Sequence, residues 1–318
     1  MKRRAPDLRA GLAAAGRVAA AIRSYFAAAD VVEVATPSLL HWPTAEPTLS
    51  NLALARAGGR RFLRTSPESA LKRLLAAGSG DVYEFGPAWR AEEAGRLHRE
   101  EFTLVEWYRV GFDHHRLMDD VAALLAACGH ARPLTRLRYA EVFAAVFGHD
   151  PHHASDAELA ALAVAAGVAV PADADRALLL DALYAARLEA ELAQRGAVFL
   201  HDFPAELRAY ARLSAGTPAV AERFELVVDG VELANGYHEI TAADEQAACF
   251  AAENALRRRR GLPPVAPDAD WLAALSSGMP ACAGVALGFE RLVMVLEAGR
   301  GLDTVAWRDP EVAIRPST

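Results

Sequence analysis

Between Arg90 and Tyr108 the chain reads RAEEAGRLHREEFTLVEWY, which concentrates five glutamates, a histidine and three aromatics beside Arg90. Arg90 follows the β-rich run VYEFGPAW. Its planar guanidinium is therefore expected at a strand end, where it can clamp a phosphate or carboxylate through two parallel hydrogen bonds. From Ala91 to Glu101 no apolar period survives, so this stretch reads as a loop between strands. FTLVEWY then resumes an extended strand with Phe102, Leu104, Glu106 and Tyr108 on one face. A carboxylate on such a face is costly to bury unless it meets a cation. This is the chemistry of a nucleotide pocket; a hairpin with a solvated, charged loop accounts for the same residues.

A second cluster lies near the C-terminal third. Phe224–Val228 and Val231–Asn235 flank Asp229-Gly230, the residue pair of a two-residue hairpin turn. In that register Val228 opposes Val231 and Val227 opposes Glu232, which puts Glu225 one diagonal step from Glu232 on the same face. Two such carboxylates repel unless a cation lies between them, and oxygen donors suit magnesium; a solvated acidic face is the alternative. Strict alternation turns Glu239 away from this face, so a bulge at Asn235-Gly236 is needed to return it. The run GVALGFER at 284–291 is not a phosphate-cradling glycine loop. Its apolar flanks read as a buried strand passing into a helix, with Arg291 a costly charge there unless an anion meets it.

The elements that must hold these groups can be read in outline. With 318 residues and 53% hydrophobic content the chain can bury a large core, as one large α/β-type domain or two small ones. A net charge of −7 argues against bulk affinity for nucleic acid. Cys128, Cys249 and Cys282 are scattered, which fits a reducing, cytoplasmic setting and offers no zinc spacing. The N-terminal 26 residues resemble a signal peptide in their basic start, but Arg9 and Arg17 break every apolar core. An amphipathic helix with Leu8, Leu12, Ile22 and Phe26 on one side fits better. No stretch reaches the ~18 apolar residues that would span a bilayer.

A short strand follows at Val31–Val34, stopped at Pro37. Residues 38–60 read as loop and 61–65 as a strand. Ser66 is the expected N-cap of a helix to Leu75, with Pro67 in its first turn and Glu68 near the positive helix end. From Asp113 to Arg195 the pattern is mostly helical and holds no persuasive site; His152 and His153 read as solvated. A second β-region spans 198–239, and the helix from Ala243 to Arg260 ends in four arginines that suit its negative end, with an acidic partner as the other reading.

Three segments together resemble the signature motifs of class II aminoacyl-tRNA synthetases: VVEVATP at 31–37, the Arg90–Tyr108 stretch, and GVALGFER at 284–291. TSPE at 65–68, RFE at 223–225 and ELANGYHE at 232–239 narrow the likeness to the lysyl branch. It runs from about Gly16 to Glu297 and is nearest to the elongation factor P–(R)-β-lysine ligases, short paralogues of lysyl-tRNA synthetases. The resemblance implies an α+β fold, one catalytic domain over 1–318 built on an antiparallel sheet flanked by helices, with a helical insertion at about 113–195.

By the same resemblance, Arg90 and Arg291 are the catalytic pair. Arg90, Glu92, His98, Arg99, Phe102, Glu232, Leu233, Gly288 and Arg291 would bind ATP, with Phe102 stacked on adenine and Glu92 reading it. Ser66 and Glu68 would meet the backbone-like end of the amino acid, and Tyr108 and Glu239 its distal ammonium. Glu106, Asn235 and Ala286 would line the pocket, and Glu225 and Glu232 would hold Mg²⁺. The implied reaction is ATP-dependent activation of (R)-β-lysine as an adenylate and its transfer to a lysine of elongation factor P, by a cytoplasmic homodimer without stable tRNA binding.

Two features depart from the full lysyl-tRNA synthetases. Only about 30 residues precede the first motif, too few for an anticodon-binding domain, and Ala286 replaces a glycine in the third motif. A third feature departs from both branches: Arg99-Glu100 stands where Asn-Pro is usual, which leaves any side-chain contact from position 99 to ATP open. The competing readings are a minimal lysyl-tRNA synthetase using α-lysine and a catalytically silent regulatory paralogue.

Overall fold

The computed structural model describes residues 8–171, 173–297 and 301–305. The chain begins with α1 (Leu8–Ala28), β1 (Val32–Glu33), β2 (Leu39–Leu40), β3 (Ala53–Leu54), β4 (Arg61–Leu63) and α2 (Glu68–Ala76). The long hairpin β5 (Val82–Trp89) and β6 (Glu101–Val110) follows, then α3 (His114–Ala127), β7 (Thr135–Arg138), α4 (Tyr139–Phe147), α5 (Asp156–Ala165) and α6 (Arg176–Leu183). A π-turn at Tyr184–Leu188 joins α6 to α7 (Glu189–Gln194). The remainder comprises β8 (Ala197–Pro204), β9 (Val220–Val228), β10 (Val231–His238), α8 (Ala243–Arg259), α9 (Ala269–Gly278), β11 (Cys282–Gly288), α10 (Phe289–Leu296) and α11 (Leu302–Val305).

Eight strands form one sheet in the order β1-β5-β6-β11-β10-β9-β8-β7. Every interior pair is antiparallel, and only the edge strands β1 and β7 join in parallel. Because successive side chains leave a strand on opposite sides, each strand feeds two layers. Trp107, Val285, Leu287, Phe224 and Phe199 point toward α1, α3 and α10. Val198, Leu200 and Val227 point the other way, toward α4 to α7. On that second face Tyr108, Val82 and Cys282 meet α2, α8 and α9. The architecture is α+β, a mostly antiparallel sheet flanked by helices.

Several local expectations shift. The buried stripe of α1 is Gly11, Ala14, Val18, Ile22 and Phe26, whereas Leu8 and Leu12 are exposed. Gly11 lies so close to the Thr304 carbonyl that a Cβ would overlap it, so the small-residue side of the helix is the one that packs. Residues 38–60 are not all loop, since β2 and β3 flank β4 in a small separate sheet. Pro67 rather than Ser66 occupies the N-cap of α2, although Ser66 Oγ still accepts the Glu68 N–H at 3.3 Å. The 113–195 stretch contains β7 besides its helices. Two of the arginines closing α8 have partners within the chain: Arg257 donates to the Pro263 carbonyl and Arg259 pairs with Asp175.

The end of β1 is tied to the sheet by a buried polar knot. Arg64, 1% exposed, donates to Thr36 Oγ1 at 2.8 Å and pairs with Glu84 at 2.7 Å, while Thr36 donates its own hydroxyl to Glu84. Removing one partner of a buried pair strands the other, typically at 3–5 kcal/mol, so this knot fixes the path from β1 into β4 and β5.

Candidate active site

The sheet face opposite α1 carries the sequence-predicted residues, and its register explains how. Val228 opposes Val231 and Val227 opposes Glu232, around a turn whose Asp229 and Gly230 both have positive φ. Beyond Glu232 the register slips: Leu226 pairs with Ala234 and Glu225 with Asn235. The bulge thus sits at Glu232–Ala234, not at Asn235-Gly236. One extra residue inverts the alternation downstream, so Glu232, Asn235, Tyr237 and Glu239 share a face with Glu225. Leu233, within the bulge, turns its side chain into the α1–α3–α10 core. Gly236 points the same way, against Phe224.

Neighbouring strands complete the floor. Asn235 pairs with Ala286, and Ala286 pairs with Glu106 on β6. Gly284 pairs with Tyr108, and a Cβ there would lie 2.2 Å from the tyrosine ring and 2.6 Å from Glu239 Oε1. Glycine is needed so that Tyr108 and Glu239 can approach each other across the strand.

These carboxylates make a buried anionic pocket. Glu106 is 3% exposed, its Oε1 accepts the Tyr108 hydroxyl at 3.0 Å, and its Oε2 has no hydrogen-bond partner. Burial, reinforced by the negative charge of Glu68, pushes its carboxyl up to about 8. Glu239 is also raised by burial, but Lys72 opposes this with its ammonium 2.6 Å away. The same ammonium donates to Glu68 at 2.7 Å and lies over the Trp271 ring, 4.7 Å from its centroid. Burial pulls Lys72 down, yet its two glutamates outweigh this and raise it above its ordinary value.

Lys72 is the main residue that the sequence reading missed. Its place four positions after Glu68 on a helix was the available signal. The rings of Trp271 and Tyr210, beside Lys72, were missed as well, and nothing local in the sequence marks them.

The groups that the resemblance assigns to ATP gather at the loop end of the β5–β6 hairpin. Arg90 lies over Phe102, 5.0 Å from the ring centroid, and its backbone N–H donates to the Glu100 carbonyl. Glu92 takes a positive φ of 66° and its N–H is held by the Glu100 carboxylate. Arg291, at the start of α10, donates to the carbonyls of Leu97 at 3.1 Å and Glu232 at 2.9 Å, so it links the hairpin loop to the bulge. Burial, followed by the charge of Arg291, holds His98 below its ordinary value. Gly288 on the same face is open enough that a Cβ would make only ordinary contact with Arg291. The Arg99 side chain is engaged elsewhere, with the Gly95 carbonyl at 2.6 Å and with Asp303 of α11.

The proposed metal donors differ in availability. Glu225 pairs with Arg223 and accepts the Tyr184 hydroxyl at 2.7 Å, whereas Glu232 is half exposed with only a 3.7 Å approach to Arg291. Burial raises Glu225, and the nearby charge of Glu232 raises it further against the pull of Arg223. Oxygen donors that repel one another in this way fit a divalent cation such as magnesium.

Comparisons with known proteins give the family. Residues 1–306 match the family model of class II tRNA synthetases (D, K and N). The chain is 44% identical over 286 residues to the elongation factor P–(R)-β-lysine ligase of Vibrio vulnificus, covering 86% of this chain and 87% of the relative. To the ligase of the same name from Vibrio cholerae it is 42% identical over 296 residues, with 89% and 90% covered. The Yersinia enterocolitica protein of that name is 39% identical over 304 residues, with 91% and 92% covered. With its three motifs on one mostly antiparallel sheet and a family match across nearly all its length, the chain belongs to the class II tRNA synthetase family.

Proposed function

We propose that the protein is an ATP-dependent ligase that activates (R)-β-lysine as an adenylate and transfers it to a lysine side chain of elongation factor P. The observation that carries this reading is the pair of buried carboxylates Glu106 and Glu239 with the partly buried Glu68 beside them, which suits a substrate bearing two ammonium groups. The names of the relatives point to the same donor and acceptor.

In the first step a substrate carboxylate oxygen attacks the α-phosphorus of ATP in line, the bond to the bridging oxygen of the β-phosphate breaks, and pyrophosphate leaves. Such a reaction needs positioned positive charge rather than a nucleophile and base. Arg90 would hold the α-phosphate and the substrate carboxylate; on binding, adenine would take the face of Phe102 that Arg90 now covers. Arg291 and His98 would meet the outer phosphates, and Glu92 with the Glu232–Leu233 backbone would address the nucleotide. Magnesium held by Glu225 and Glu232 would neutralise phosphate charge. Ser66 and Glu68 would bind the end of the amino acid that carries its carboxylate, while Tyr108, Glu106 and Glu239 would take the distal ammonium.

Ala286 lies between Glu106 and Asn235, where a methyl group bears on substrate shape; one such group is worth about 1–3 kcal/mol of discrimination. In the second step the acceptor amine attacks the acyl carbon and AMP leaves. We place the enzyme in the cytoplasm as a homodimer formed through the β1 region. No helix among the described residues is long and apolar enough to cross a membrane.

The test is ATP–pyrophosphate exchange with (R)-β-lysine and α-lysine side by side, omitting every acceptor. Faster exchange with (R)-β-lysine supports the ligase, which is then assayed for acylation of elongation factor P. Preference for α-lysine favours a lysyl-tRNA synthetase-like activity, and no exchange with either favours a silent paralogue.

A further inference from the structure

On the sheet face away from the active site, α3 and β8 bring three imidazoles together. His114 and His115 open α3 directly after its N-cap Asp113, whose carboxylate accepts the Arg116 N–H at 2.8 Å. His201 lies near the end of β8, opposite Phe224 and therefore on the side facing α3. One potential ligand atom from each histidine lies within 4.8 Å of the others, and the His114 and His115 rings are 4.0 Å apart between centroids.

Two details separate this group from ordinary packing. His114 is 5% exposed and its Nδ1 has no hydrogen-bond partner, whereas its Nε2 is held 3.2 Å from Asp202 Oδ1. The other oxygen of Asp202 approaches His201 Nδ1 at 3.1 Å. A single carboxylate thus faces two of the three rings, hydrogen-bonded to His114 and close to His201, whose Nδ1 has no hydrogen-bond partner; a carboxylate behind metal-bound histidines fixes ring orientation and strengthens the donor.

We propose that His114, His115 and His201 bind a divalent transition ion of the zinc class, with Asp202 as the carboxylate that orients the rings. Three imidazole nitrogens select such an ion over magnesium or calcium, which prefer oxygen. Zinc–nitrogen bonds of about 2.0–2.1 Å require the donor atoms to close to roughly 3.4 Å in a tetrahedral site. His115 is exposed and free to make that movement, and its exposure provides an entry path and a fourth position for water. His114 also neighbours Glu222 and His238, but these two already pair with each other at 2.6 Å, and a shared His114 cannot serve both groups at once. A bound ion would pin the start of α3 to the end of β8.

The test uses the full chain without an affinity tag, stripped with chelator and dialysed against zinc or cobalt(II). The expected result is one zinc per chain by elemental analysis after gel filtration, visible cobalt d–d absorption, and a higher thermal midpoint in the zinc form. All three should be lost in H201A and in H115A. His201 is buried, so its variant could fail by misfolding; the exposed His115 separates ligation from folding. Zinc well below one per chain overturns the proposal, as does full zinc binding by H115A, which would leave the histidines as a hydrogen-bonded packing cluster. Zinc lost in E232Q but kept in H115A also overturns it, by placing the ion at the acidic pair of the active site.

Discussion

Glu106 makes a quantitative prediction because its state should change when a cation arrives. In the free protein its carboxyl is raised to about 8 by burial and by Glu68, so at pH 7 roughly 0.9 of the molecules carry the proton. If the distal ammonium of the substrate binds against Glu106 and Tyr108, the carboxylate form is the one that receives it. Binding at pH 7 should then release about 0.9 proton, falling to about 0.1 at pH 9, where the group is already ionised. Substrate affinity should rise about tenfold per pH unit up to pH 8 and level off above it. The assay is isothermal titration of (R)-β-lysine in phosphate and in Tris, whose different ionisation heats report the protons released, for the wild type and Glu106→Gln. The isosteric amide can keep the Tyr108 contact but has no proton to lose.

The same shift has a sign for stability. A raised folded value means that the free protein keeps this group's full contribution below about 4.5 and loses it as pH rises through about 8, at up to about 1.4 kcal/mol per unit. Glu106→Gln should flatten that decline. A buffer-independent binding enthalpy at pH 7, or proton release undiminished in the variant, would refute the reasoning.

Three further outcomes follow from the site. Arg291→Ala removes the group that joins Leu97, Glu232 and the expected phosphates, and should lower ATP–pyrophosphate exchange by at least ~10²–10³-fold; a rate within a few-fold of wild type would refute its role. Ala286→Gly should move the ratio of kcat/KM for (R)-β-lysine over α-lysine toward α-lysine by roughly tenfold, and unchanged selectivity would remove Ala286 from the pocket. Lys72→Met leaves Glu68 and Glu239 facing each other without their shared cation, which should cost about 3–5 kcal/mol in urea unfolding. A loss below about 1 kcal/mol would mean that the pair protonates or hydrates readily instead.

The parts of this fold that were legible in the sequence are those specified locally. The β5–β6 hairpin announces itself through two apolar runs around a polar stretch, and Asp229-Gly230 names its own turn. The strand-to-helix passage of β11 into α10 shows in apolar runs on either side of Gly288. The parts that were not legible depend on what arrives from far away. On α1, Leu8 and Leu12 look like core residues by composition, yet Gly11 and Ala14 are buried because α11 and α3 approach closely enough to need small side chains. β7 has no strong pattern of its own and exists as a strand because β8 offers it an edge.

The site shows the same division more sharply. Arg90, Phe102, Glu106 and Arg291 could be picked out of the sequence through the motifs that contain them. Which face Glu239 would take could not, since that depends on one extra residue somewhere in β10. A bulge at either Asn235-Gly236 or Glu232–Ala234 returns Glu239 to the pocket, and Tyr237 with it, but the two differ in what they do to Asn235. Only the second, which the structure has, turns Asn235 onto the site face as well, next to Gly236 packed against Phe224, where a Cβ would come within 2.5 Å of the ring. Gly236 is therefore required by core packing, and the kink in the strand lies three residues earlier. That position also sets Glu232 beside Arg291, so a single backbone irregularity orders both the Glu239 end and the Arg291 end of the pocket.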